Sequence, residues 1–61
     1  MERMLTEKQV ATLLNINRAT LSNWRSSGKG PKYVKVGGSI RYRYTDVELY
    51  LEKNSVETTG E

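Results

Sequence analysis

LLNINRATLSNW, residues 13–24, places the end of one helix and the start of another on either side of Asn15, Ile16 and Asn17. Leu13 and Leu14 close an apolar stripe that begins at Val10, at the i, i+3, i+4 spacing of one helix face, with Ala11 at its flank. Upstream, TEKQVATLL carries Thr6 and Gln9 in the S/T-x-x-E/Q spacing of a capping box, which opens the first helix. Asn15 stands where the chain must reverse, and Asn tolerates the left-handed conformation better than most residues. Ile16 is apolar, so the turn itself packs inward. Asn17 is a good N-cap for a second helix, RATLSNWRSS, which Gly28 ends. Two short helices joined this closely predict a helix-turn-helix.

Beyond Gly28, Lys29-Gly30-Pro31 is a stiff exit into KVGGSIRYR, residues 35–43, where apolar and basic residues alternate around a Gly-Gly pair. The pattern predicts a β-hairpin. If Val34, Val36, Ile40 and Tyr42 share one face, the loop is Gly37-Gly38-Ser39, with Val36 opposite Ile40 and Val34 opposite Tyr42. A two-residue loop would oppose Val34 to Arg41 and Lys35 to Ile40, mixing the faces. The in-phase register sets Lys35 across from Arg41, and like charges so placed repel. After the hairpin, Thr45 and Glu48 have capping-box spacing and open DVELYLEK, with Val47, Tyr50 and Leu51 on one face. A two-stranded ribbon does not stand alone. It is therefore expected to pack on the first and third helices, around a core of Leu13, Leu21, Trp24 and Leu51. Tyr42 and Tyr44 alternate inward, and Trp24 shares a stripe with Leu21, so packing outweighs base stacking for these aromatics, as it does for Tyr33.

The chain has 61 residues, enough for one domain with a small core. With no Cys and no His, disulfides, Cys-based zinc sites and the commonest acid–base group are excluded. No apolar run approaches membrane-spanning length and nothing resembles a signal peptide, so a cytoplasmic, nucleoid-associated protein is expected. Charge is unevenly placed. Arg18, Arg25, Lys29, Lys32, Lys35, Arg41 and Arg43 fall within residues 18–45, which hold no Asp or Glu. NSVETTGE, residues 54–61, carries two acids and no base. Such asymmetry points to a polyanionic partner. Catalysis is not expected: Asp46 and Glu48 suit the first turn of a helix, and the serines have no base to activate them.

The run LTEKQVATLLNINRATLSNWRSSGKGPKYVKVGGSIRYRYTDVELYLE resembles the MerR-like winged helix-turn-helix domains of phage excisionases and small AlpA-type regulators. The likeness extends from Leu5 to about Lys53, with NRATLSNW, GKGPKYVKVGG, RYRY and TDVELYLE specific in combination. Asn15 departs from the usual Gly of the family, and Leu49 from a usual small residue. The expected fold is α+β and mostly helical: a small winged helix-turn-helix with a two-stranded β-hairpin wing and a C-terminal helix. It is expected over residues 1–53, followed by a disordered acidic tail over 54–61.

On the second helix Arg18, Ala19, Ser22, Asn23 and Ser26 point away from the Leu21/Trp24 stripe, with Thr20 at the flank and Arg25 adding charge. Short polar side chains plus Arg are the vocabulary of base edges and phosphates in a major groove. Lys35, Arg41 and Arg43 are expected to share the outward face of the wing, where phosphate would relieve their repulsion. Lys29 and Lys32 precede it, and Gly38 and Ser39 shape a slim tip able to approach a minor groove. The expected partner is double-stranded DNA, with no cofactor and no membrane. The resemblance further implies a recombination directionality factor that binds and bends attachment-site DNA for an integrase, with further copies of itself on adjacent sites. A small transcriptional regulator would use the same surface. A protein-interaction module is the alternative of another class, with Leu49 as its marker.

Overall fold

The computed structural model describes residues 3–55. Three helices stand with a three-stranded antiparallel sheet, in the order β1 (Met4–Thr6), α1 (Glu7–Leu14), α2 (Arg18–Ser26), β2 (Val34–Val36), β3 (Ser39–Arg43) and α3 (Tyr44–Lys53). This is a small winged helix-turn-helix. Its residues 56–61, most of the segment expected to be a disordered tail, lie outside the described residues. Asn54 and Ser55 continue the end of α3, with the Asn54 side-chain amide donating to the Tyr50 carbonyl at 2.8 Å.

The helix-turn-helix forms as its capping residues dictate. Thr6 accepts from the Gln9 N–H at 3.1 Å while Gln9 Oε1 accepts from the Thr6 N–H at 2.8 Å, completing the capping box. Asn15 takes φ 57°, and the turn closes as a Schellman motif: Ile16 N–H donates to the Ala11 carbonyl at 2.9 Å and Asn15 N–H to Thr12 at 3.1 Å. Asn17 then caps α2, its Oδ1 accepting from the Ala19 N–H at 2.9 Å. The far end of α2 repeats the device. Gly28 has φ 75°, Lys29 N–H donates to the Trp24 carbonyl at 2.7 Å, and Gly28 N–H to Arg25 at 3.3 Å.

The sheet departs from expectation in two ways. Met4–Thr6 forms a third strand, and the order β1-β3-β2 makes β3 central. Leu5 sits opposite Tyr42, which directs both into the core. Three residues leading straight into a capping box carry too little alternation to mark a strand.

The hairpin register is the two-residue one: Val34 opposes Arg41, Lys35 opposes Ile40 and Val36 opposes Ser39. Gly37 and Gly38 have φ 54° and 88°, so both central residues are left-handed, as a type I′ turn requires. That turn matches the twist of the strands, and its preference outweighs phasing of the apolar residues. Val34 and Val36 therefore join Arg41 on the outer face, and Val36 is 55% exposed. Lys35 does not face Arg41, and the repulsion expected between them is absent.

The core is Leu5, Val10, Ala11, Leu21, Tyr42 and Val47, with Leu14, Ile16, Trp24, Ile40 and Tyr44 packed at its rim. Leu13 and Leu51, expected inside, are 52% and 47% exposed. On α1 the inward stripe is Glu7, Val10, Ala11 and Leu14, because the helix must meet both α2 and the sheet, and this turns Leu13 outward. Leu51 lies past the end of the core, which α3 reaches through Val47 and through the Tyr50 ring 6.1 Å from Trp24.

The start of α3 also differs. Thr45 and Glu48 do not form a capping box, since the helix already begins at Tyr44 with Arg43 at the cap and no side-chain capping bond. The chain passes from β3 into α3 without a loop. The Tyr44 N–H is satisfied by the Arg3 carbonyl at 2.9 Å, continuing the β1–β3 pairing into the helix. Tyr44, expected on the strand, is thus helical, and the Arg3 guanidinium lies 5.5 Å over its ring.

Candidate nucleic-acid interface

The α2 face turned from the core is built from Arg18, Ala19, Asn23 and Ser26, all exposed, with Thr20 and Ser22 half-buried along its border. Leu21, 1% exposed, anchors the opposite side and fixes which residues are presented. Among the described residues, the Arg18, Asn23 and Ser26 side chains have no partner within the chain. No acid lies on this helix, so nothing on it repels a phosphate.

Arg25 is placed differently from the other sequence-predicted contacts. Its Nε donates to Glu7 Oε2 at 3.1 Å, its Nη2 donates to Ser22 Oγ at 3.3 Å, and the guanidinium lies 5.9 Å from the Tyr33 ring centroid. The Glu7 hydrogen bond raises the Arg25 pKa above its ordinary value, the carboxylate charge adding to it against partial burial. The Tyr42 phenol nearby is also raised, by burial first and then by the Glu7 charge.

The hairpin distributes its cations over both faces. Arg41 and Arg43 lie on the outer face with Ser39, whereas Lys35 shares the side of Ile40 and Tyr42 and is exposed. The expectation of one basic outer face bearing all three is thus corrected, for the same reason as the register. Arg41 Nη1 donates to the Ile40 carbonyl at 2.7 Å, and Arg43 pairs with Asp46 at 3.3 Å. Gly38 and Ser39 are exposed at the tip, and a side chain at Gly38 would meet open space. Lys29 and Lys32 are exposed on the segment between α2 and β2. On α3, Leu49 is 60% exposed, beside Leu51, Glu48 and Glu52 at a shallow depression.

Two roles were invisible in the sequence, those of Glu7 and Tyr33. Glu7 has no role assigned from the sequence and Tyr33 is weighed there only between packing and base stacking, yet the fold brings both to Arg25. A charge on the α1 core stripe was the available signal for Glu7. Among the described residues no group of His, Cys, Asp and Glu is arranged to hold a metal ion, and no helix is long and apolar enough to cross a membrane.

A helix presented between a tight turn and a basic hairpin defines a winged helix-turn-helix of the DNA-binding class. The chain belongs to the helix-turn-helix domain family, whose model matches residues 4–55. Membership points to double-stranded DNA as the partner. No curated protein and no solved structure matches the chain significantly.

Proposed function

We propose that the protein binds double-stranded DNA sequence-specifically, laying α2 in a major groove while the hairpin grips the adjacent backbone. The observation that carries this reading is the exposed, acid-free face of Arg18, Ala19, Asn23 and Ser26 beside a slim basic wing. Helix residues would read base edges, and Lys29, Lys32, Lys35 and Arg41 would hold phosphates. Lys35 and Arg41 on opposite faces suit a ribbon entering a narrow groove edge-on, where phosphates lie to both sides. Arg43 contributes less, because Asp46 already compensates part of its charge.

Within this class the function is that of a recombination directionality factor, which binds and bends attachment-site DNA for an integrase. The likeness of residues 5–53 to phage excisionases supports it. The test is an excision assay with any integrase found encoded beside the gene, together with a footprint on the flanking DNA. Protection of direct repeats and dependence of excision on the protein are expected. Repression of a promoter without any effect on excision would assign the regulator role instead.

A further inference from the structure

The two residues of the Glu7–Arg25 pair occupy positions where stability alone would place apolar side chains. Glu7 begins the core-facing stripe of α1, at i, i+3, i+4 and i+7 with Val10, Ala11 and Leu14. Arg25 follows Leu21 and Trp24 at i+4 and i+1 on the core side of α2. Their side chains are only 15% and 24% exposed. Ion pairs in helix contacts contribute little net stability compared with well-packed apolar residues, but they are directional. A single guanidinium here joins two helices and the loop before the hairpin: Glu7 on α1, Ser22 on α2, and Tyr33 just before β2. Tyr33 in turn packs on Tyr42 of the central strand, ring centroids 6.1 Å apart.

We propose that the Glu7–Arg25 pair is a latch that sets the stance of the recognition helix against α1 and the wing, making Arg25 a positioning residue instead of a phosphate contact. The inference rests on the DNA-binding reading above. A planar guanidinium held by a carboxylate, a hydroxyl and a ring resists the sliding that an apolar contact permits. It also holds Ser22 at the border of the reading face. The distance from α2 to the hairpin root, and with it the match to two neighbouring grooves, follows from this cluster.

The test begins with selection of a preferred duplex from a randomised pool by the unaltered protein. Failure there overturns the DNA reading alone. Glu7→Gln, Arg25→Met and the double variant Glu7→Leu/Arg25→Met are then compared by fluorescence anisotropy on the selected and a scrambled duplex across a salt series. All are measured where circular dichroism shows each to be folded. Each single variant is expected to lower the selected-over-scrambled affinity ratio about tenfold while leaving the salt slope within about half a unit. The double variant, which refills the contact with apolar volume, is expected to fold but to keep the ratio about as low as in the single variants. Recovery to within about threefold of the unaltered protein would mean that any packed contact sets the stance, and overturns the proposal. A slope flattened by about one unit in Arg25→Met would make Arg25 a phosphate contact and overturn the proposal. So would tighter binding by Glu7→Gln to both duplexes, the result of a released guanidinium. A lower melting temperature with an unchanged ratio would reduce the pair to a structural contact, and also overturns it. If the single variants do not fold, the double variant decides: a lowered ratio with an unchanged salt slope upholds the latch, and a ratio near that of the unaltered protein refutes it.

Discussion

The helix turn at Asn15–Asn17 and the hairpin turn at Gly37–Gly38 are both tight reversals built on left-handed residues, yet only the first follows directly from its neighbours. The two helix ends at the Asn15–Asn17 turn are closed by bonds reaching at most five residues along the chain, such as Ile16 N–H to the Ala11 carbonyl. The capping residue and the cap are thus the same local event. The hairpin register is decided by a competition between turn geometry and apolar phasing, and by β1, a partner more than thirty residues away. Local chemistry closes helices. Strand register belongs to the whole sheet.

The sharpest contrast is expected at the junction of the two helices. Leu21→Ala removes a fully buried side chain and is expected to cost about 2–5 kcal/mol, whereas half-exposed Leu13→Ala costs under about 1 kcal/mol. Urea melts of both variants check this. Similar losses would mean that α1 presents the stripe assigned to it by spacing alone.

At the hairpin, Gly38→Val forces a β-branched residue to φ 88° and is expected to destabilise by about 1–3 kcal/mol. Gly37→Asn keeps a residue type that a type I′ turn favours, and its melting temperature should stay near that of the unaltered protein. Equal tolerance at both positions would break the two-residue turn.

A smaller effect is expected in alkali. Burial raises the Tyr42 pKa in the folded protein above its ordinary value of about 10. The neutral phenol therefore contributes stability that is fully present below about pH 10 and is lost as pH rises through the raised folded value. Melting temperature should hold from pH 8 to about 10 and then fall, more gently in Tyr42→Phe. Identical profiles for the two proteins would remove Tyr42 as the titrating group.

The smallest effect separates the registers. Had Lys35 faced Arg41, Lys35→Thr would relieve repulsion and stabilise the fold. With Lys35 opposite Ile40, the change should shift stability by less than about 0.5 kcal/mol. Clear stabilisation in a thermal melt would restore the three-residue loop.

Much of the fold was written in individual residues: Thr6 and Gln9, Asn15, Asn17 and Gly28 behave as their chemistry requires, and Leu21 anchors α2 as its stripe implies. The exposed character of Arg18, Ala19, Asn23 and Ser26 was legible for the same reason. What escaped depends on distant partners. β1 is recognisable only once β3 is beside it, and Leu13 turns outward because α1 serves two neighbours at once. Thr45 and Glu48 matched a capping pattern that a continuous strand-to-helix passage made unnecessary. Arg25 is an uncommitted cation in the sequence until Glu7 is brought to it by the helix turn.

The most direct test of the central claim, that α2 reads the sequence while the hairpin grips the backbone, is a salt-titrated comparison of Asn23→Ala and Arg41→Ala. Binding would be measured on the selected and scrambled duplexes. With Arg25 and Arg43 engaged within the protein, about four phosphate contacts remain, and log K should fall with log salt at a slope of roughly −4. Asn23→Ala is expected to weaken the selected duplex by about 1–3 kcal/mol, leaving the scrambled duplex and the slope unchanged. Arg41→Ala should weaken both duplexes by similar factors and flatten the slope by about one unit. A slope near zero, or discrimination lost through Arg41 and kept through Asn23→Ala, would contradict the account.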